Sequence, residues 1–278
     1  MPELPEVETV RRGLERALCG RRLTSILVRR PALRHPLPDG LAHRLAGATV
    51  AAVERRGKVL LVRPASGPVL VVHLGMAGRF VLTGPDEPAP AGPHDHVALV
   101  TADGPVATYR DPRRFGYMAL AAPDALAAHA ALKGLGPDPL RDGVDGPALA
   151  RRLAGRRGPV KPVLLDQGVV AGLGNIYACE ILYRAGLSPR RRAGTIAGRR
   201  ATRLAGALHA VLTEAVAAGG SSLRDHATPD GEVGLFQHAF AVYGRAGAPC
   251  PACPGCSEGV RRIRQAGRST FYCPRRQR

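Results

Sequence analysis

Met1-Pro2-Glu3-Leu4-Pro5-Glu6-Val7-Glu8-Thr9 opens the chain and sets its first element. Pro2 sits near the first turn of a helix, where a missing N–H is tolerated, and Glu3 and Glu6 complement the positive end of the helix dipole. Val7, Val10, Leu14 and Leu18 then recur at helical spacing, with Arg11, Arg12, Glu15 and Arg16 between them. The same stretch also has a chemical reading. Removal of Met1 would leave Pro2 as a free secondary amine, whose ordinary pKa near neutrality keeps an unprotonated, nucleophilic fraction at pH 7. For an arbitrary chain beginning Met-Pro-Glu the structural reading is the commoner one, so the rest of the sequence has to decide.

Downstream of this helix, β-branched segments alternate with Gly and Pro turns at 23–28, 49–54, 59–62, 69–74, 80–82, 97–101 and 117–120. That spacing predicts an antiparallel sandwich or barrel. From Pro123 the pattern becomes Ala- and Leu-rich, with helices predicted over 124–131, 147–154, 175–184 and 195–218. Residues 134–146, dense in Gly, Pro and Asp, predict a loop. The expected division is residues 1–122, mostly β with a leading helix; 123–241, helical; and 242–278, a small cysteine-bearing module. The fold class is α+β.

The chain has 278 residues and 45% hydrophobic content, enough to bury the core of two compact domains. No apolar run approaches a membrane span, and the charged N-terminus does not resemble a signal peptide. A soluble, cytoplasmic protein without a membrane partner is the expectation. The formal net charge is +18, with basic residues recurring along the chain. Such a field favours polyanions, nucleic acid first, although a ribosomal or acidic-membrane partner fits the charge equally. Only Lys58, Lys133 and Lys161 of the basic residues are lysines. Arginine cannot readily give up its proton, so a retained lysine such as Lys58 is a candidate amine.

Three loops carry chemistry. Gly172-Leu-Gly-Asn175-Ile-Tyr177 places glycines before a helix, where backbone N–H groups and an Asn side chain suit a phosphate. Asp111-Pro-Arg113-Arg114-Phe115-Gly116 sets two cations and an aromatic on a turn, and Met76 lies in the glycine-flanked turn 73–78. Taken singly, these read as a tight turn, a core phenylalanine beside solvated arginines, and a core-filling methionine. Together they can reach one disrupted base pair, with an apolar side chain wedged into the stack where a nucleotide is flipped out. Cys19 and Cys179 read as packing residues. Cys250, Cys253, Cys256 and Cys273 cluster near the end of the chain and suggest a metal site more than a disulfide framework.

These motifs resemble the bacterial formamidopyrimidine-DNA glycosylases, the MutM-type 8-oxoguanine glycosylases. The shared stretches are 1–9, Arg56-Gly-Lys58, His73-Leu-Gly-Met76, His94-Asp-His96, Asp111–Gly116, Lys161-Pro162, 172–180, 219–225 and 267–273, essentially the whole chain. The resemblance implies an N-terminal helix with a β-sandwich, a helix-two-turns-helix domain and a C-terminal β-hairpin zinc finger, acting on damaged double-stranded DNA held between the domains. It makes Pro2 the Schiff-base nucleophile at the sugar C1′, Glu3 the general acid and base, and Lys58 and Arg268 donors in the later elimination steps. Met76, Arg113 and Phe115 match the residues that fill the space of the extruded nucleotide, and His94, Arg113, Arg157, Asn175 and Arg268 match DNA-contacting positions. Residues 219–236 match the loop that caps the flipped base. The implied enzyme is a monomeric, bifunctional glycosylase and abasic-site lyase for 8-oxoguanine and formamidopyrimidines. The alternatives are an endonuclease VIII-like enzyme for oxidised pyrimidines and a non-catalytic damaged-DNA-binding protein.

One departure stands out. The family finger carries Cys-x2-Cys, sixteen residues, then Cys-x2-Cys; here Cys253, Cys256 and Cys273 keep that spacing, but the fourth position is Arg276. Cys250 restores the count of four thiolates that a closed structural zinc site requires. A zinc-free hairpin and an iron–sulfur arrangement are the competing readings.

Overall fold

A computed structural model describes the chain from Met1 to Arg278, apart from residues 85, 223–228, 230, 232, 233, 254 and 255. It divides into two compact units, Met1–Lys133 with Ala218–Gln237, and Gly134–Ala217 with His238–Arg278. This differs from the three-part division read from the sequence, for physical reasons. Leu126 buries among Val59, Leu61, Val69 and Val71, which draws 123–133 into the first unit. Tyr183 and Cys179 share a cluster with Val242, Cys250, Val260 and Cys273, which joins the cysteine module to the helices.

The first unit begins with α1 (Leu4–Leu18), whose N-cap is Glu3 and whose first turn holds Pro5 and Glu6. The strands follow as β1 (Leu23–Val28), β2 (Val50–Arg56), β3 (Val59–Pro64), β4 (Val69–His73), β5 (Arg79–Thr83), β6 (Asp95–Thr101), β7 (Val106–Arg110) and β8 (Tyr117–Ala121), with a short α2 (Leu41–Leu45) after β1. They form two antiparallel four-stranded sheets, ordered β1-β6-β7-β5 and β2-β3-β4-β8. Val7, Val10, Leu14 and Leu18 of α1 join Leu23, Val50, Leu60, Leu70, Val72, Phe80 and Leu99 in one core, so the predicted helical stripe is the buried face. Each such burial contributes about 1.5–3 kcal/mol.

Strand β7 was not anticipated. Val106-Ala-Thr-Tyr-Arg110 lies between β5 and β6, and its Ala107 and Thr108 are fully buried. Small residues suit a central strand but carry little β signal of their own. The helix expected over 124–131 is reduced to a 3-10 turn, Leu126–Ala128. Only Leu126 is buried there, and a segment this short without an apolar stripe does not hold a helix.

The second unit holds α3 (Gly146–Leu153), α4 (Val160–Leu164), α5 (Asn175–Arg184) and α6 (Arg199–Ala217), then the hairpin of β9 (Arg261–Gln265) and β10 (Arg268–Tyr272). Asp145 caps α3 by accepting from Ala148 N at 2.7 Å. The predicted α5 limits hold, whereas α4 was missed because Pro162 stands inside its single turn. The hairpin turns through Ala266-Gly267, both at positive φ, as a type I′ turn demands.

Glu6 anchors the returning segment of the first unit. Its Oε2 accepts from Glu3 N at 2.9 Å, and its Oε1 accepts from Ser221 N at 2.8 Å and Ser221 Oγ at 2.9 Å. We expect Glu6→Ala to cost roughly 3 kcal/mol in chemical denaturation, because N–H groups bonded to a buried carboxylate would lose their acceptor. Amide exchange at Ser221 should quicken more than exchange in the strands.

Candidate active site

Glu3 is buried at the mouth of α1, only 3% exposed, and Pro2 precedes it half-buried. Lys58 reaches the same region through a chain of contacts starting on α1. Glu8 accepts from Arg55 Nε at 2.9 Å, and Arg55 Nη1 donates to the Gly57 carbonyl at 2.9 Å. Burial opposes the charge of Glu8, but the guanidinium groups of Arg55, Arg11 and Arg12 outweigh it and hold the carboxyl below its usual range. Arg56 pairs with Val59, so Gly57 and Lys58 form a two-residue turn between β2 and β3, with Gly57 at φ 57° and Lys58 buried.

The N-terminal amine of Met1 registers this convergence. Burial lowers its pKa from the ordinary value; Glu3 and Glu6 oppose the shift, and Lys58 and Arg113 add to it. Two carboxylates and two cations thus act on the head of the chain. In the structure Met1 is present, so the nitrogen of Pro2 is an amide.

Beside them stand two loops with exposed apolar tips. Met76 is 40% exposed and Phe115 43% exposed, and the Arg113 guanidinium lies 4.8 Å from the Phe115 ring centroid. His94, also exposed, lends its carbonyl to Asp111 N at 3.0 Å. The sequence reading overlooked His73. Burial, then Lys58 and Arg34, push its pKa down to about 4, so the ring is neutral near pH 7. Its Nδ1 accepts from Gly75 N at 3.0 Å, and the ring stacks on Tyr117 with centroids 5.6 Å apart. The tautomer is therefore Nε2–H, a neutral donor in the electrostatic neighbourhood of Lys58. The only sequence signal was a polar residue closing an apolar strand.

In the second unit Asn175 begins α5, as expected, but both ends of its amide have protein partners. Oδ1 accepts from Lys161 Nζ, and Nδ2 donates to the Ser269 carbonyl at 3.0 Å. Lys161 is fully buried. Asn175 therefore fixes β10 beside Arg268, which projects exposed from the hairpin turn, and Arg157 is exposed between α3 and α4. Glu180, on the same helix, accepts from Ala241 N at 2.9 Å, Val242 N at 3.0 Å and Tyr243 N at 2.7 Å.

The sulfurs of Cys250, Cys253 and Cys273 lie within 4.8 Å of one another, with Cys253 and Cys273 at 3.9 Å. Thiolates about 2.3 Å from a tetrahedral zinc would stand roughly 3.8 Å apart, so these three sulfurs fit the ion. Cys256 stands outside that group of three. Arg276 turns away to Tyr183, its guanidinium 4.9 Å from the ring centroid and its Nε donating to the Tyr183 carbonyl at 3.3 Å.

Residues 1–118 match the formamidopyrimidine-DNA glycosylase N-terminal domain, and residues 135–227 match the formamidopyrimidine-DNA glycosylase H2TH domain. The chain belongs to the formamidopyrimidine-DNA glycosylase family. It is 57% identical to the formamidopyrimidine-DNA glycosylase of Rhodospirillum centenum over 292 residues, covering 100% of each chain. It is also similar to the Lactococcus lactis Fpg solved with abasic-site DNA, with 34% identity, a TM-score of 0.87 and 99% of each chain covered. A MutM structure with carbocyclic 8-oxo-G DNA matches with 34% identity and a TM-score of 0.87 over 100% of both chains. Membership accounts for the β-sandwich, the helical domain and the cysteine-bearing hairpin. Among the described residues no helix is long and apolar enough to cross a membrane. Within the stretch 219–236, expected to cap the flipped base, residues 223–228, 230, 232 and 233 lie outside the described residues.

Glu180→Gln keeps the side-chain shape but replaces an acceptor oxygen with a donor facing N–H groups. Roughly 2–3 kcal/mol of stability should be lost, and amide exchange at residues 241–243 should accelerate.

Proposed function

We propose that this glycosylase removes oxidised purines, 8-oxoguanine and formamidopyrimidines, from duplex DNA in base-excision repair, and that it cleaves the resulting abasic site by β,δ-elimination through Pro2. The observation that carries the reading is the convergence of Glu3, Glu6, Lys58 and Arg113 on the head of the chain. Once Met1 is removed, the Pro2 secondary amine attacks C1′ as the base departs. A secondary amine gives a cationic iminium with no further N–H to lose, and that electron sink acidifies the neighbouring C2′ proton. Loss of that proton expels the 3′ phosphate, and a second elimination expels the 5′ phosphate. Glu3 carries protons at the sugar, and Lys58 and Arg268 stabilise the anionic groups that form.

Met76, Arg113 and Phe115 fill the gap left by the extruded nucleotide, while His94, Arg157 and Asn175 contribute to DNA binding, the last by fixing the hairpin. The net charge of +18 supports a polyanionic partner. The enzyme is read as a cytoplasmic monomer.

Zinc is the metal that suits the hairpin, held by Cys250, Cys253 and Cys273, with Cys256 as the fourth thiolate. Bound there it is structural, a cross-link that stiffens the strand bearing Arg268.

Borohydride added to the mature protein and an 8-oxoguanine:cytosine duplex should yield a covalent complex that mass spectrometry maps to Pro2, and Pro2→Gly should abolish it. Trapping should weaken as the pH falls and the Pro2 amine protonates. No complex from a protein with a free Pro2 that still binds the duplex would reject the lyase reading. Elemental analysis should find about one zinc per chain. Cys273→Ser should lose it, while Arg276→Cys should tighten its retention against a chelator.

A further inference from the structure

We propose that Tyr109 and Asp111 are positioning residues that lock the Met76 turn and the Arg113–Phe115 loop into a single rigid wedge. The inference rests on the reading that these loops fill the space of the extruded nucleotide.

Tyr109 lies on β7, fully buried, with its ring 5.4 Å from that of Phe80. Its hydroxyl donates to Asp111 Oδ2 at 3.2 Å. Asp111 is also fully buried, and it holds the Phe115 loop from both carboxylate oxygens. Oδ2 accepts from Gly116 N at 2.8 Å, and Oδ1 accepts from Arg113 N at 3.2 Å. The Asp111 carbonyl accepts from Arg114 N at 3.2 Å and meets His96 Nε2 at 2.9 Å. Arg114, at φ 53°, is thereby held in a left-handed conformation that a non-glycine residue does not adopt freely.

The Met76 turn packs on this assembly through glycines. A Cβ on Gly75 would overlap the backbone of Phe115 and Gly116, and a Cβ on Gly78 or on Gly116 would overlap the Tyr109 hydroxyl. The phenol oxygen is therefore clasped between the two loops while it bonds to Asp111. Burial, then the Asp111 carboxylate, raise its pKa and keep it a donor. Neither residue reaches the surface, so any effect on DNA must pass through the loops. A wedge must keep its shape while it pushes into stacked bases, and pre-ordering removes the entropy of fixing two turns at that moment.

The test compares Tyr109→Phe and Asp111→Asn on two substrates under single turnover. One is an intact 8-oxoguanine:cytosine duplex, in which a stacked base must be extruded. The other is the same duplex with a preformed abasic site, in which no base has to leave the stack. Wedge locking predicts about a tenfold fall in base release from the intact lesion, the scale of one lost buried hydrogen bond. Borohydride trapping at the abasic site should change by less than about twofold, because base extrusion is absent. Equal losses on both substrates, or none on either, would overturn the proposal. The doubly truncated Met76→Ala, Phe115→Ala protein serves as reference. If it shows the substrate split and Tyr109→Phe does not, the lock is refuted while the wedge reading stands. If the reference shows no split, the wedge reading fails and takes the lock with it.

Discussion

A carboxylate taken out of water costs several kcal/mol unless its lone pairs are filled, and this chain fills them repeatedly with backbone N–H groups. Glu6 takes Glu3 N and Ser221 N, Asp111 takes Arg113 N and Gly116 N, and Glu180 takes three successive amides from Ala241 to Tyr243. In each case an acid fixed on a helix or at a strand end captures irregular chain that has no ladder of its own. The segments held in this way are the N-terminus and the Phe115 loop of the first unit and the approach to the hairpin in the second. Regular elements supply the rigidity, and buried acids transmit it to the loops.

The same logic explains why a protein of such high positive charge keeps its reacting head electrostatically mixed. Cations alone would repel a protonated amine and hold the phosphate, but would give no group to move protons at the sugar. Glu3 is buried there, and with Glu6, Lys58 and Arg113 it places both signs of charge at the Met1 nitrogen. Burial is the largest influence on the Met1 amine and favours its uncharged form even though two carboxylates oppose the shift. Long-range attraction of DNA and the mixed charge at the head of the chain are thus separate features, one spread over the surface and one confined to the mouth of α1.

Legibility in the sequence followed burial and period. The apolar stripe of α1 and the limits of α5 could be read because their side chains repeat at helical spacing and face one core. Strand β7 could not, since its centre is built of Ala107 and Thr108, chosen for closeness between neighbouring strands and not for β propensity. Pro2, Glu3, Lys58, Met76, Arg113 and Phe115 were visible as candidates, unusual residue types in short motifs. His73, Tyr109 and Glu180 were not, because each looks like an ordinary member of a strand or helix until tertiary contacts give it a partner. Asn175 was singled out as a phosphate donor, yet its amide is engaged by Lys161 and Ser269.

The altered finger is intelligible in the same terms. A metal stabilises a small hairpin by cross-linking chain that has too little core, so the loss of one ligand matters in proportion to what else holds the hairpin. Here much does. Gln277 accepts from Cys273 N at 2.8 Å and donates to the Leu187 carbonyl at 2.9 Å, which pins the chain end on both sides of the cysteine. The rings of Phe240, Tyr243 and Phe271 meet edge to face in a continuous row. Arg276, where a thiolate would stand, lies over Tyr183, whose hydroxyl in turn reaches the Cys250 sulfur at 3.3 Å. The position that no longer coordinates therefore still joins the hairpin to α5 through a cation–π contact and a backbone bond. Packing thus acts on the same strand that a metal would cross-link, and strengthening one would relax the demand on the other.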